Sequence, residues 1–254
     1  MMPPALFLSP HLDDVAFSCG GTLHALAAAG WECVLVTLFT KSVPRPTGFA
    51  LECQTSKGLA ADVDYMHLRR LEDAAAAVHL NCAGVHWGAL PEAPHRGYES
   101  AAELFATRRT DDALDPVAAL VDDLIRRFRP GLVFAPQSWG RHVDHTLVTE
   151  AVAGRRPTGL VWYFDTPYVL RDDPVPPPES LRPSDAAEVA VDIAGSVAAK
   201  LDACAAYRSQ LGFQFGDEAT MRTRLAADRE RLLVTDPARE RMGDSVQFLS
   251  REPR

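Results

Sequence analysis

Ala5-Leu6-Phe7-Leu8-Ser9-Pro10-His11-Leu12-Asp13-Asp14, followed by Gly20-Gly21, is the stretch on which the fold turns. Its apolar half is short and stops at Pro10, as a buried parallel strand does. The polar turn and the glycine pair lead into Thr22 to Ala29, which reads as a helix ended by Gly30. A β-branched run, Cys33-Val34-Leu35-Val36-Thr37-Leu38-Phe39, predicts a second strand. Strand, helix and strand in that order favour a parallel sheet covered by helices.

The alternation continues outward. Tyr65 to Leu80 is an Ala-rich helix, and Val85-His86-Trp87 a short strand. Leu114, Val117, Leu120, Val121, Leu124, Ile125 and Phe128 share one helical face, and Arg129-Pro130-Gly131 stops that helix. Leu132 to Ala135 is the next strand, Thr146 to Ala153 a helix and Leu160 to Phe164 a strand. Arg171 to Pro183 is Pro-rich and charged, an extended surface connection. Val189 to Ile193 alternates like a late strand, and Ser196 to Leu211 like a helix. With no internal repeat and no linker-like tract, the simplest account is one α/β domain over residues 1–254. Its core is 1–165, and 166–254 form a C-terminal helical extension.

The composition, 47% apolar and 24% charged, is that of a globular protein. A net charge of −8 argues against nucleic acid, whose phosphates need Lys and Arg, and weakly against an anionic membrane surface. No apolar stretch approaches the roughly 20 residues of a membrane span. The N-terminus lacks the basic region of a secretory signal. Cysteines 19, 33, 53, 82 and 204 form no CxxC pair and read as reduced thiols, so the cytoplasm is the expected location.

Two clusters carry chemistry: Pro10-His11-Leu12-Asp13-Asp14 after the first strand and His142-Val143-Asp144-His145 after the 132–135 strand. Both belong to loops leaving the carboxyl ends of parallel strands, the edge at which open α/β sheets bind ligands. Should the sheet order put those strands side by side, the clusters meet. Imidazole and carboxylate suit Zn²⁺ and related metals, and a catalytic site has three protein ligands and an open position. His11, Asp14 and His145 fill that set. Asp13 is then free to take a proton from the activated water. His142 is the candidate to stabilise the oxyanion and protonate the leaving amine, and Asp144 to hold its tautomer. A polar turn explains either cluster alone; two at strand ends are harder to obtain by accident.

At these residues the chain resembles the PIG-L/LmbE-like deacetylases, whose signature pairs Pro-His-x-Asp-Asp with a later His-x-Asp-His. Ser18-Cys19-Gly20-Gly21-Thr22-Leu23, Arg69-Arg70-Leu71-Glu72-Asp73-Ala74 and the Lys200 to Gln210 stretch extend the likeness over nearly the whole chain. The resemblance implies a Rossmann-like, parallel-sheet three-layer sandwich. It implies one zinc per chain on His11, Asp14 and His145, with Fe²⁺, Co²⁺ or Mn²⁺ also suited to such ligands. It also implies Asp13 as base, His142 as acid or oxyanion partner, and de-N-acetylation of a small N-acetylglucosamine-type conjugate. The chain departs from the family at Gln137-Ser138-Trp139-Gly140-Arg141, which puts Trp139 and Arg141 at the expected pocket mouth, and in Phe164-Asp165-Thr166-Pro167-Tyr168, which resembles a branch motif that often has Glu where Phe164 stands.

Arg69, Arg96 and Tyr98 are further substrate-contact candidates, Arg69 from its helix and the others from the loop 90–98. A Glu72-paired surface arginine and plain loop composition are the competing readings. His24, His67 and His79 read as surface or packed histidines, and Cys19 as a small buried residue. Two other functions stay open. A non-catalytic nucleotide-binding domain lacks its G-x-G-x-x-G, since the two aspartates occupy that turn. A metal-dependent amidase for another N-acyl natural product differs only in substrate. The acceptor, acyl length and oligomeric state, a homo-oligomer included, are not legible.

Overall fold

The computed structural model describes residues 2–249. Among them, one eight-stranded sheet runs in the order β3-β2-β1-β4-β5-β7-β6-β8. Strands β1 (Ala5–Ser9), β2 (Cys33–Thr37), β3 (Gly84–Trp87), β4 (Leu132–Pro136) and β5 (Leu160–Tyr163) are mutually parallel. Strands β6 (Ala186–Asp192), β7 (Arg231–Thr235) and β8 (Gln247–Leu249) extend the sheet in antiparallel register. The C-terminal extension thus holds strands as well as the expected helices. Arg231 to Thr235 carries too few apolar residues in a row to announce itself, and its burial comes from pairing with β5 and β6.

Successive residues of β1 point to opposite faces and sort into two cores. Ala5 and Phe7 pack in one with α1 (Asp14–Ala28), α3 (Tyr65–His79) and α7 (Val197–Ala206). Leu6 and Leu8 pack in the other with α5 (Asp115–Phe128) and α6 (Val143–Ala153). Three layers result. The remaining helices are α2 (Gly48–Thr55), α4 (Ala101–Leu104), α8 (Arg208–Phe215), α9 (Glu218–Ala227) and α10 (Asp236–Met242).

Three boundaries differ from the sequence expectation. Helix α1 starts at Asp14 and passes through a break at Cys19 (φ −145°, ψ 25°), because Gly20 and Gly21 continue the helix instead of ending a turn. Helix α6 starts at Val143, since the His142 ring caps it by accepting from the Asp144 backbone N–H at 3.2 Å. The stretch 196–211 divides into α7 and α8 at Tyr207 (φ −81°, ψ 55°).

Strand order reverses between β1 and β4: the chain leaves β1 toward β2 and β3, then returns to β4 on the other side. The loops after β1 and β4 diverge around a crevice at this point, where such sheets bind ligands.

Candidate active site and metal centre

The turn after β1 is held by its own polar groups. Ser9 Oγ donates to the His11 carbonyl at 2.6 Å and accepts from Val15 N at 3.2 Å. His11 N donates to Asp14 Oδ2 at 2.7 Å. Asp13 has φ 152° and ψ −29°, a conformation a non-glycine residue holds at a cost of about 1–3 kcal/mol. Its side chain is nonetheless buried, 3% exposed, with Oδ2 lacking any hydrogen-bond partner.

The β4 loop brings His142 and His145 to this turn. The ligating nitrogens of His11, His142 and His145 lie within 4.8 Å of one another. Asp14 Oδ2 is 3.4 Å from His11 Nδ1 and 3.2 Å from His145 Nε2. The far nitrogens of two rings are committed: His11 Nε2 donates to Asp144 Oδ2 at 2.8 Å, and His145 Nδ1 to Asp165 Oδ1 at 2.6 Å. Carboxylates placed behind imidazoles in this way orient metal ligands. His145 Nε2, fully buried, has no hydrogen-bond partner. An orphaned imidazole nitrogen beside a carboxylate is what a cation would complete, so the residues present fit a metal ion.

The remaining candidates fall into place around this centre. Asp144, expected to orient His142 through its carboxylate, turns it the other way: toward His11, Ala93 N (3.2 Å) and an ion pair with Arg96 Nη2 at 2.7 Å. The α6 start forces this, because the His142 ring already faces the Asp144 backbone N–H. Arg96 in turn holds Asp112 through two hydrogen bonds of 2.8 and 2.9 Å, and Tyr98 Oη donates to the same carboxylate at 2.9 Å. Tyr98 is buried, and neither residue lines the cleft, so both stand behind the site. Arg69 does line it: Nη1 donates to Glu92 Oε1 at 2.5 Å, Nη2 to the Leu12 carbonyl at 3.2 Å, and Asp13 Oδ1 lies 3.8 Å away. Glu72, its supposed partner, accepts from Ser209 N and Oγ instead. Trp139 stacks on Phe164 (centroids 5.4 Å apart) and Arg141 donates to the Pro176 carbonyl, both away from the cleft. Positive φ at Ser138, Gly140 and Arg141 redirects them. At Gly140 a Cβ would meet the Tyr168 ring at 2.7 Å, so only glycine fits.

Burial sets opposing electrostatics on the group. Burial and the Asp14 charge push Asp13 up to about 8. Burial opposes charge on Asp14, but His145 and His11 outweigh it and hold that carboxyl far below the usual range. Burial likewise works against a charged His145 ring, yet Asp14 and Asp165 raise it to about 9. Burial and His11 drive His142 well below its ordinary value, which keeps the ring neutral.

The cleft above these residues has a volume of about 320 Å³. Its walls include Glu92, Phe105, Tyr168 and Phe213, to none of which the sequence reading gave a role. Asp165, quoted within the 164–168 segment, was likewise given no role, although its place just after β5 puts it at the same sheet edge as the two motifs. Its strand-end position was the available signal.

A family model for GlcNAc-PI de-N-acetylases (PIG-L) matches residues 6–154. A 2'-N-acetylparomamine deacetylase of Streptomyces fradiae is 32% identical over 229 residues, 88% of this chain and 79% of that protein. Among solved structures, the A40926 pseudoaglycone deacetylase superposes with a TM-score of 0.73 at 25% identity, covering 92% of this chain and 97% of that one. A teicoplanin deacetylase in its zinc-inhibited form gives 0.73 at 24% identity, with 92% and 99% covered.

Proposed function

The chain belongs to the PIG-L family of de-N-acetylases, and on that premise we propose that it removes the acetyl group from an N-acetylglucosamine-type conjugate at the His11–His145 centre. As a family member it is a hydrolase of carbon–nitrogen amide bonds. The observation that carries the reading is the pair of buried, partnerless atoms at one spot, His145 Nε2 and Asp13 Oδ2.

His11 Nδ1, the Asp14 carboxylate and His145 Nε2 would hold the cation, taken as zinc, with Fe²⁺, Co²⁺ or Mn²⁺ compatible with the same donors. When bound, the ion supplies Lewis acidity toward the amide carbonyl and toward water. His142 is left out of this set because its Nδ1 receives the Asp144 N–H, which keeps the other nitrogen, Nε2, protonated in the neutral ring. That N–H donates to the amide oxygen as negative charge grows on it. The start of α6 opposes a positive charge on its capping ring, as does burial.

Asp13 takes the proton of the water that attacks the amide carbon. Arg69, near Asp13 Oδ1, steadies the carboxylate charge. As the C–N bond breaks, the proton held by Asp13 passes to the departing nitrogen, leaving a free amine and acetic acid, which gives up its remaining proton to become acetate. Protonation of the amine therefore falls to Asp13 rather than His142, whose neutral ring has no spare proton to give.

The test is acetate release by metal-reconstituted protein from a panel of N-acetylglucosaminyl conjugates. Asp13→Asn is expected to lower turnover by about 10²–10⁴-fold with metal content unchanged by elemental analysis. Normal turnover in that variant would overturn the assignment of the base.

A further inference from the structure

Past its polar floor the cleft changes character. Its outer wall is made by Phe49 of α2, Phe105 just after α4, Tyr168, and Phe213 of α8. Phe105 meets the His142 ring edge-on, with centroids 5.3 Å apart, and the Tyr168 ring at 5.7 Å. The apolar wall therefore begins directly against the imidazole assigned to the amide oxygen, and continues outward to Phe213. That phenylalanine is 68% exposed. A large aromatic left open at the rim of a site gains by being covered when a ligand binds.

Three of the five carboxylates lining the cleft, Asp13, Asp14 and Asp144, belong to the centre at its floor, and in the outer part Glu52 and Glu92 stand against Lys57 and Arg69. Glu52 faces the same space as Lys57. The Lys57 ammonium donates to the Cys53 carbonyl at 2.6 Å and lies 5.2 Å and 5.0 Å from the ring centroids of Tyr65 and Phe213. Deeper in, Arg69 and Glu92 neutralise each other at 2.5 Å. An acceptor bearing several ammonium groups would call for surplus carboxylates here, and a polyanionic one for surplus cations. The cavity offers aromatic rings instead, Phe105 and Phe213, each with one cation over it, Arg171 at 5.3 Å and Lys57 at 5.0 Å from the centroids. Its volume, about 320 Å³, is at the lower end of the roughly 300–1,000 Å³ of small-molecule sites.

We propose that the conjugate carries an uncharged aryl or similarly flat aglycone, which stacks on Phe105 and Phe213 while the N-acetyl group lies over Asp13 and His142. The proposal rests on the deacetylase reading above and adds to it the chemistry of the group attached to the sugar.

The experiment uses the full-length, metal-loaded protein and three probes: 4-nitrophenyl N-acetyl-β-D-glucosaminide, free N-acetylglucosamine and 2'-N-acetylparomamine. For the aryl probe, kcat/KM for acetate release is expected about 10-fold or more above that for the other two, mainly through KM. Phe213→Ala, at an exposed position, is expected to lower the ratio of aryl to free-sugar kcat/KM about 5-fold, while Phe213→Trp retains it. Calorimetry reads binding separately, comparing 4-nitrophenyl β-D-glucosaminide with glucosamine. Acetate release with no aryl preference in either measurement, or with the paromamine derivative preferred, overturns the aglycone site and leaves the deacetylase reading standing. No acetate from any probe, alongside a Kd about tenfold tighter for the aryl glycoside, overturns the reaction and leaves the aromatic subsite standing.

Discussion

Asp165 illustrates how much a single residue outside the two histidine motifs does here. Its carboxylate accepts from His145 Nδ1 at 2.6 Å and from the backbone N–H groups of Gln137 and Trp139 at 3.1 and 2.9 Å. One side chain therefore fixes both the His145 ring and the loop that leads into α6, the helix bearing it. Asp165→Asn would put an amide where the imidazole needs an acceptor, and metal affinity is expected to fall about 10–100-fold. Titration against a chromophoric chelator checks this, and an unchanged Kd would show that His145 needs no carboxylate behind it. Asp165 and Asp144 also mark where residue-level reading stops. The sequence shows a carboxylate two residues from His142. The helix start decides that this carboxylate faces His11, in the other motif.

At the scale of elements, the first helix is built in two halves joined by a side chain from far along the chain. Glu230 accepts from Gly21 N and Thr22 N at 2.7 Å each and from Thr22 Oγ1 at 2.6 Å, just past the Cys19 break. It caps the second half-helix as an anion caps a helix N-terminus. A Cβ at Gly21 would lie 3.0 Å from Glu230 Oε1 and 2.8 Å from Ile193 Cδ1, so the glycine permits the approach. Lys200 Nζ lies 2.8 Å from the same Oε1, and both side chains are fully buried. Glu230→Gln would leave the ammonium uncompensated and is expected to cost about 3–5 kcal/mol in urea unfolding, with part restored by adding Lys200→Met. A loss below about 1 kcal/mol would mean that the pair contributes little to holding α1. The Ser18–Leu23 and Lys200–Gln210 stretches, noticed separately in the sequence, prove to face each other. Likewise Arg69 reaches the site from one turn of α3 while Asp73, on the next turn, accepts from Tyr207 Oη at 2.7 Å.

For the whole molecule, the ionisable centre ties stability to pH. In the metal-free protein His145 is raised to about 9, where burial is outweighed by Asp14 and Asp165, and Asp13 to about 8 by burial and Asp14. Each folded value lies above the unfolded one, so the native state binds the extra proton. That stability is complete below the unfolded values, near 4 for Asp13 and 6.5 for His145, and is lost as pH rises through about 8 and about 9. The urea midpoint of chelator-treated protein is therefore expected to fall between pH 6.5 and pH 9. A cation competes with those protons, so its stabilising effect should grow over the same window. A midpoint that held steady or rose without metal would contradict the charge arrangement described here. Among the described residues, no helix is long and apolar enough to cross a membrane.

Local pattern alone determined the parallel core strands, the long amphipathic helix of residues 115–128 and the two motifs at strand ends, because periodicity and chain breakers act over a few residues. It also pointed toward a cation site, since two His/Asp clusters at strand ends are harder to obtain by accident than the polar turn that explains either one alone. Tertiary structure decided what depends on neighbours distant in sequence. β4 lies beside β1. A short run such as Arg231 to Thr235 becomes a strand by pairing. Asp144 stands behind His11 rather than His142, Asp165 stands behind His145, and Trp139 turns away from the cleft while Phe213 turns toward it. These outcomes rest on contacts between segments that no local window contains, and on burial that exists only once the layers have closed.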